Sequence, residues 1–229
     1  MKEEFNAFIF ARGGSKGIIN KNLRKVKGIS LVRRSIDLAL QLNNVSRIFL
    51  STDSEKIANE ARSLNVEIIK RPIHLADDKA NEIYAWKHAI NMVVARYGKF
   101  DKFVSIPPTS PLRSLDDVKK IMKLLEDKFD LTLGITKSKR NPWFNMVQSS
   151  KKNKIKKIFK DQKFSRRQDA PEIYDITTVA YAAHTSYIMS ADNILDGAIG
   201  GVQIPEERSL DIDNLLDLEL AEFFISRNL

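Results

Sequence analysis

Between Phe8 and Leu23 a short apolar run, Phe8, Ile9 and Phe10, breaks into Ala11, Arg12, Gly13, Gly14, Ser15, Lys16 and Gly17, with Lys21 and Asn22 close behind. Such a composition suits a polyphosphate. Glycines let backbone amides approach an anion, and Arg12, Lys16 and Lys21 supply the opposing charge. Glycines alone would make an ordinary turn; three bases, a serine and an asparagine after a strand are what point to phosphate. Two familiar phosphate motifs do not fit. The dinucleotide fingerprint needs a glycine where Ser15 stands, and the Walker loop needs Gly-Lys-Ser/Thr where the chain reads Lys16, Gly17, Ile18. A dehydrogenase and a Walker-type NTPase are both disfavoured.

Three further clusters carry chemistry. In an extended segment, Asp211 and Asp213 share one side and can hold a divalent cation between them; Asp213 is equally suited to cap a helix starting near Asn214. The run from Pro107 to Arg113 fixes the backbone with three prolines, so it either presents Thr109 and Ser110 rigidly or is simply a stiff turn. Arg166 and Arg167 have the planar fork that matches a carboxylate, or they belong to a solvated basic run. Arg71, closing a strand before Pro72, is either a ligand-facing cation or a surface ion-pair partner.

The elements that position these residues alternate in type. Leu31, Val32, Ser35, Ile36, Ala39 and Leu42 keep helical spacing, and Arg47 to Ser51 is a buried strand. Polar residues from Ser51 to Glu55 are expected to cap a helix carrying Ile57, Ala58, Ala61 and Leu64. Val66 to Ile69 is a third strand, a long helix runs from near Asp78 to Tyr97, and Phe103 to Ile106 is a fourth strand. Ser114 and Asp117 make a capping box ahead of Val118, Ile121, Met122 and Leu125. Leu131 to Ile135, Thr178 to Ala182 and Gly201 to Ile204 complete the strands, and a helix closes the chain. This alternation calls for a largely parallel sheet with ligands at the carboxyl ends of its strands. The Arg12 loop, Ser51 to Asp53, Arg71, and Pro107 to Ser110 then fall on one edge. The domain expectation is a core of residues 1–135 and 174–229, with a basic, β-rich arm at 136–173 that is either solvated or a dimerisation arm.

At 229 residues and 43% hydrophobic content the chain can bury one α/β core. No stretch reaches the length of a membrane span, and no secretory segment opens the chain, so the expected location is the cytoplasm. Zero cysteines exclude disulfides and thiolate chemistry, and the three histidines, His74, His88 and His184, are scattered. Any metal is therefore expected on carboxylates, which favours Mg²⁺ or Mn²⁺. The net charge is +9. Between Lys151 and Gln168, nine bases (Lys151, Lys152, Lys154, Lys156, Lys157, Lys160, Lys163, Arg166 and Arg167) face one acid, Asp161. That concentration admits a nucleic-acid binder as a rival, yet only Phe159 and Phe164 are available there to stack bases, so no nucleic-acid partner is expected.

Taken in order, the motifs resemble those of the CMP-sialic acid synthetase (acylneuraminate cytidylyltransferase) family, whose members read Ala-Arg-x-x-Ser-Lys-Gly followed by Lys-Asn-Leu. The matches extend from Ala11 to Asp213 and span almost the whole chain. The resemblance implies a three-layer, mostly parallel α/β sheet of nucleotide-diphospho-sugar transferase (Rossmann-like) type with a small dimerisation excursion. It implies a homodimer that transfers CMP from CTP to the anomeric hydroxyl of a nonulosonic, 2-keto-3-deoxy sugar acid, releasing pyrophosphate. By resemblance, Ala11 to Lys16, Lys21, Asn22, Arg71 and Asp78 bind nucleotide. Thr109, Ser110, Arg167, Gln168, Thr178 and Tyr181 bind the acid, Arg167 reaching in from a partner subunit. Asp211 and Asp213 hold catalytic Mg²⁺, with Arg12, Lys21 and Asp211 catalytic. The chain departs from the pattern twice: Pro107 stands where the family has glutamine, and Thr177, Thr178 and Val179 replace Asn-Gly-Ala. A CMP-Kdo-type or sugar-1-phosphate nucleotidyltransferase, or a CTP-binding homologue without turnover, are the alternatives.

Overall fold

The apolar runs become strands stacked side by side because each is flanked by helices that cover both of its faces. The computed structural model describes residues 4–15, 17–77, 81–126, 128–150, 153–159, 164 and 166–227. Lys16, Asp78, Lys151, Lys152, Lys160, Asp161 and Lys163, which bear expectations above, lie outside them. The strands are β1 (Phe5–Phe10), β2 (Lys25–Val26), β3 (Ile29–Ser30), β4 (Val45–Thr52), β5 (Glu67–Lys70), β6 (Lys102–Ser105), β7 (Leu131–Lys137), β8 (Val147–Ser149), β9 (Ile155–Lys157), β10 (Tyr174–His184) and β11 (Ile199–Gln203). The helices are α1 (Leu31–Ala39), α2 (Glu55–Asn59), α3 (Glu82–Tyr97), α4 (Leu115–Leu124), α5 (Thr185–Ser190) and α6 (Leu215–Ser226).

Seven strands form one sheet in the order β11-β7-β10-β6-β1-β4-β5. All neighbours pair in parallel except β10, which runs antiparallel between β6 and β7. The alternation along β1 splits its side chains between two cores: Phe5, Ala7 and Ile9 pack with α1, α2 and α4, while Phe8 packs with α3 and α5. This is the expected three-layer arrangement. On the α3 side Trp86, fully buried, lies 5.1 Å from Phe103 and 5.6 Å from Tyr181 between ring centroids.

Two local expectations need correction. No side-chain hydrogen bond caps α2: Ser54 occupies the cap position without one, because Asp53 is committed to the Gly13 amide. The helix also ends at Asn59; Ala61 and Leu64 reach the core from turns rather than from a helical face. The helix placed near Asp78 begins, among the described residues, at Glu82, with the Asn81 side chain accepting from the Ile83 amide. The capping box at Ser114 and Asp117 forms as expected. Among its described residues the 136–173 segment contributes one hairpin, β8 with β9, with Asn153 at φ 60° before β9. Trp143 and Phe159 stack at its base, their centroids 4.6 Å apart.

Candidate active site

Parallel strands leave their carboxyl ends on one edge, and the loops leaving β1, β5 and β6 meet there around a cavity of about 290 Å³. Arg12, Gly14, Ser15, Lys21 and Asn22 form one wall, and Arg71, Glu82, Thr109, Thr178 and Tyr181 are among the residues of the others. Ala11 is fully buried, its amide bonded to the Ser51 carbonyl at 3.0 Å, so it anchors the loop instead of lining the cavity.

The loop's glycines divide by role. The Gly13 amide donates to Asp53 Oδ1 at 2.8 Å, so in this conformation it is turned away from an anion. A side chain at Gly13 would meet Ser54 at 2.9 Å, whereas one at Gly14 would meet nothing within 4 Å. At Gly17 an added Cβ would lie 2.6 Å from the Asp213 carbonyl oxygen, so glycine is required for the loop to touch the aspartate segment. Asn22, buried, donates from Nδ2 to the Arg12 carbonyl at 2.9 Å and thereby fixes the loop's curvature.

Lys21 joins the two halves of the site. Its Nζ donates to the Ile212 carbonyl at 2.7 Å and to Asp213 Oδ1 at 3.2 Å. Ile212, fully buried with Ile18, Val26, Leu31 and Ala221, anchors the segment between the aspartates. The two carboxylates have different environments: the Asp213 side chain is 73% exposed, while Asp211 has an oxygen, Oδ1, that is buried without a hydrogen-bond partner. Burial raises the Asp211 carboxyl above its ordinary range, with Asp213 adding to the effect; the Thr109 and Thr178 hydroxyls and Lys21 oppose it. Asp213 is not the helix cap. Asn214 accepts from the Asp217 amide at 3.1 Å, and Asp217 accepts in return from the Asn214 amide at 2.9 Å.

Thr109, Ser110 and Thr178 form a hydroxyl cluster, with Oγ1–Oγ1 3.2 Å from Thr109 to Thr178 and 3.0 Å from Ser110 to Thr178. Arg113 holds the proline-rich loop from behind, donating from Nε to the Ser110 carbonyl at 2.7 Å and from Nη2 to the Pro107 carbonyl. Its burial lowers the guanidinium to about 9, and the Asp211 charge opposes that. Of the two threonines that depart from the family pattern, only Thr178 faces the cavity. Thr177 is buried, where its hydroxyl fills the space above Gly134.

Arg71, also buried, donates to Ser51 through Nε at 3.2 Å and Nη2 at 2.9 Å. Burial lowers it to about 10, against the pull of Asp53 and Glu82. Arg167 and Gln168 stand apart: they line a separate depression with Lys137, Ser138 and Glu172, and Arg167 donates to the Ser138 carbonyl at 2.9 Å. Within one chain they do not reach the cleft. Sequence reading places Asp53 on the ligand edge without a role of its own and does not single out Glu82. Asp53 reads as one of the residues that could cap a helix, and Glu82 lies unremarked within the expected long helix; the contacts to Gly13 and Trp86 are made only in the folded chain.

Among the described residues no cluster of three or more His, Cys, Asp or Glu could by itself hold a metal ion. A cavity at the carboxyl edge of a three-layer sheet, with a basic glycine loop facing a carboxylate, defines a nucleotide-binding α/β enzyme site. Residues 7–217 match the cytidylyltransferase family, and the chain belongs to it.

A post-translational flagellin modification protein B from Campylobacter coli is 32% identical over 221 residues, 95% of this chain and 93% of that protein. A CMP-N,N'-diacetyllegionaminic acid synthase from Campylobacter jejuni matches with the same identity and coverage. An N-acylneuraminate cytidylyltransferase from Escherichia coli is 27% identical over 96% of this chain and 52% of that protein. Among solved structures, a CMP:2-keto-3-deoxy-manno-octonic acid synthetase complexed with CTP superimposes with a TM-score of 0.71 over 99% of this chain and 100% of that one. At 13% identity that likeness is one of fold.

Proposed function

We propose that the chain transfers CMP from CTP to the anomeric hydroxyl of an N-acylated nonulosonic acid, with release of pyrophosphate. The observation that carries this reading is Lys21, which ties the basic loop to the Ile212 carbonyl and Asp213, in the segment that carries Asp211. In this reading Arg12, Ser15 and Lys21 neutralise the triphosphate, while Asn22 and Asp53 hold their loop in shape. Lys16 and Asp78, by family resemblance, belong to the same nucleotide set. Arg71 serves the cytidine end, and Thr109, Ser110, Thr178 and Tyr181 serve the acid. Catalysis then rests on positioning and charge neutralisation, without a covalent enzyme intermediate.

Asp211 fits a hard divalent cation, Mg²⁺ or Mn²⁺, because its buried Oδ1 has no partner and is an oxygen donor. Asp213, exposed and held by Lys21, would be the second ligand. When bound, the cation supplies charge neutralisation at the phosphate under attack. The Thr109 and Thr178 hydroxyls fix the Asp211 carboxylate from the acceptor side.

The 136–173 arm, in the same reading, docks on a second copy of the chain and brings Arg167 and Gln168 to that copy's cleft. Its hairpin exposes Val147 and Ile155 to 52% and 67%, which supports a covered surface in the assembly.

The test is pyrophosphate release with CTP and Mg²⁺ against N-acetylneuraminic, diacetyllegionaminic, pseudaminic and Kdo acids, with ATP, GTP and UTP as controls. CTP-specific release with a nine-carbon acid is expected. Release with Kdo alone would move the acceptor to the eight-carbon class, and CTP binding without any release would leave a non-catalytic homologue.

A further inference from the structure

The proline-rich loop between β6 and α4 has few ways to hold its own shape. Pro107, Pro108 and Pro111 lack an amide hydrogen, and the carbonyls at Pro107 and Ser110 take their donors from a side chain. Arg113 supplies them. It is buried, and its Nε donates to the Ser110 carbonyl at 2.7 Å while Nη2 donates to the Pro107 carbonyl. Both described acceptors are main-chain oxygens of the loop, and Nη1 is buried without a partner. Taking a guanidinium out of water is costly. Here its planar fork serves shape, since two donors in a fixed plane hold two carbonyls of one loop.

The same loop carries the segment that contains Asp211. The Thr109 carbonyl accepts from the Ile212 amide at 2.8 Å, and the Ser110 hydroxyl donates to the Leu210 carbonyl at 3.4 Å. The main chain is thus bonded to the loop one residue before Asp211 and one residue after it. Ser110 belongs to both sets of bonds: its carbonyl accepts from Arg113, and its hydroxyl reaches Leu210. Lys21 holds the Ile212 carbonyl, which fixes the far side of Asp211 alone. Asp211 Oδ1 has no hydrogen bond of its own, so the main chain bonded to the loop is what places it.

We propose that Arg113 is a positioning residue for the reaction: by locking Pro107 to Ser110 it sets where the Asp211 carboxylate stands in the site. This deepens the function proposed above and rests on its assignment of Asp211 to the divalent cation. Arg113 does not line the nucleotide cavity; it acts through Thr109, Ser110 and the main chain around Asp211.

Two binding measurements that need no turnover test it: titration with Mn²⁺ alone, followed by the electron paramagnetic resonance of the free ion, and titration with CTP in EDTA. In Arg113→Met, which keeps the bulk of the stem and removes every donor, Mn²⁺ affinity should fall roughly tenfold or more at a temperature below the variant's Tm. CTP affinity in EDTA should stay within about threefold, because the glycine loop and Lys21 that face the phosphates are unaltered. Arg113→Lys keeps the charge and loses the fork, so its Mn²⁺ affinity should lie between the two. If Arg113→Met does not fold, Arg113→Lys carries the test together with Ser110→Ala, which breaks the hydroxyl's link to Leu210 and leaves the Arg113 acceptor in place. Unchanged Mn²⁺ affinity in the folded variants overturns the inference. Mn²⁺ and CTP affinities that fall together also overturn it and make Arg113 a general support of the fold. If the unaltered protein binds no Mn²⁺, the cation assignment fails and the inference falls with it. Mn²⁺ affinities that follow the expected order, without pyrophosphate release from any acid, would uphold the inference and sink the proposed function alone.

Discussion

Asp211 combines two properties that usually exclude each other: a carboxyl oxygen with no partner, and burial that makes its ionised form costly. A group whose carboxyl is raised in the folded chain binds its proton more tightly there than when unfolded. Its ionisation therefore weakens the fold as pH rises through that raised range. Asp211→Asn removes that charge, so melting temperature at neutral pH should stay level or rise while pyrophosphate release falls by about 10²-fold or more. A variant with near-normal turnover would show that the cation sits elsewhere. Lys21 has the opposite character. Lys21→Ala removes two contacts to the Asp213 segment and one charge from the phosphate wall, and KM for CTP should rise about tenfold with only a small loss of Tm. Equal losses in both would make Lys21 a structural tie. Thr178 shows what is legible at this scale. Its type marks a departure from the family, but its facing the cleft while Thr177 turns to Gly134 follows from strand alternation in three dimensions.

The glycine loop works as an element through contacts that differ along its length. Gly17→Ala drives a Cβ to within 2.6 Å of the Asp213 carbonyl oxygen. It should lower stability by about 1–3 kcal/mol and cut turnover, because the loop and the aspartates would separate. Gly14→Ala meets no protein atom within 4 Å, so its melting temperature should be close to that of the unaltered chain and its effect confined to nucleotide binding. Similar melting curves for the two variants would count against this division. The turn at Glu206–Arg208 is tied to α4 by Arg208, which donates from Nε and Nη2 to Asp117 at 2.8 and 3.0 Å. Burial acts upward on the Asp117 carboxyl, yet the Arg208 and Ser114 hydrogen bonds outweigh it and hold it below the usual range. That stabilisation is fully present above the unfolded-state range and is lost as pH falls through the lower folded one, below about pH 4. Asp117→Asn should flatten the acid limb of a stability profile, and an unchanged limb would show that the pair contributes nothing. The capping box at Ser114 was legible because its residues are three positions apart; Arg208 was not, since ninety-one positions separate it from Asp117.

At the scale of the whole molecule, one segment combines most of the net charge with exposed apolar side chains. The net charge is +9, and the nine bases between Lys151 and Gln168 belong to the same arm that leaves Val147, Ile155 and Ile158 exposed. If that arm covers a partner, the chain should behave in solution as twice its 26.1 kDa. Ile155→Asp should shift it toward monomer and reduce turnover, read by light scattering and pyrophosphate release; a fully active monomer would remove the arm from the site. No described helix is long and apolar enough to cross a membrane. By itself the sequence determined the order of the seven main-sheet strands and of the helices between them apart from α5, the basic glycine loop, and the edge on which its polar loops gather. All of these are written in local composition, in periods of 2 and 3.6 residues, and in turn chemistry. Only the tertiary structure decided that β10 runs against its neighbours, that Asp53 takes the Gly13 amide, that Asn214 rather than Asp213 caps α6, and that Glu82 faces the cleft. These depend on contacts between residues far apart in the chain, whose pairing is set by how the layers pack and not by any spacing along one segment.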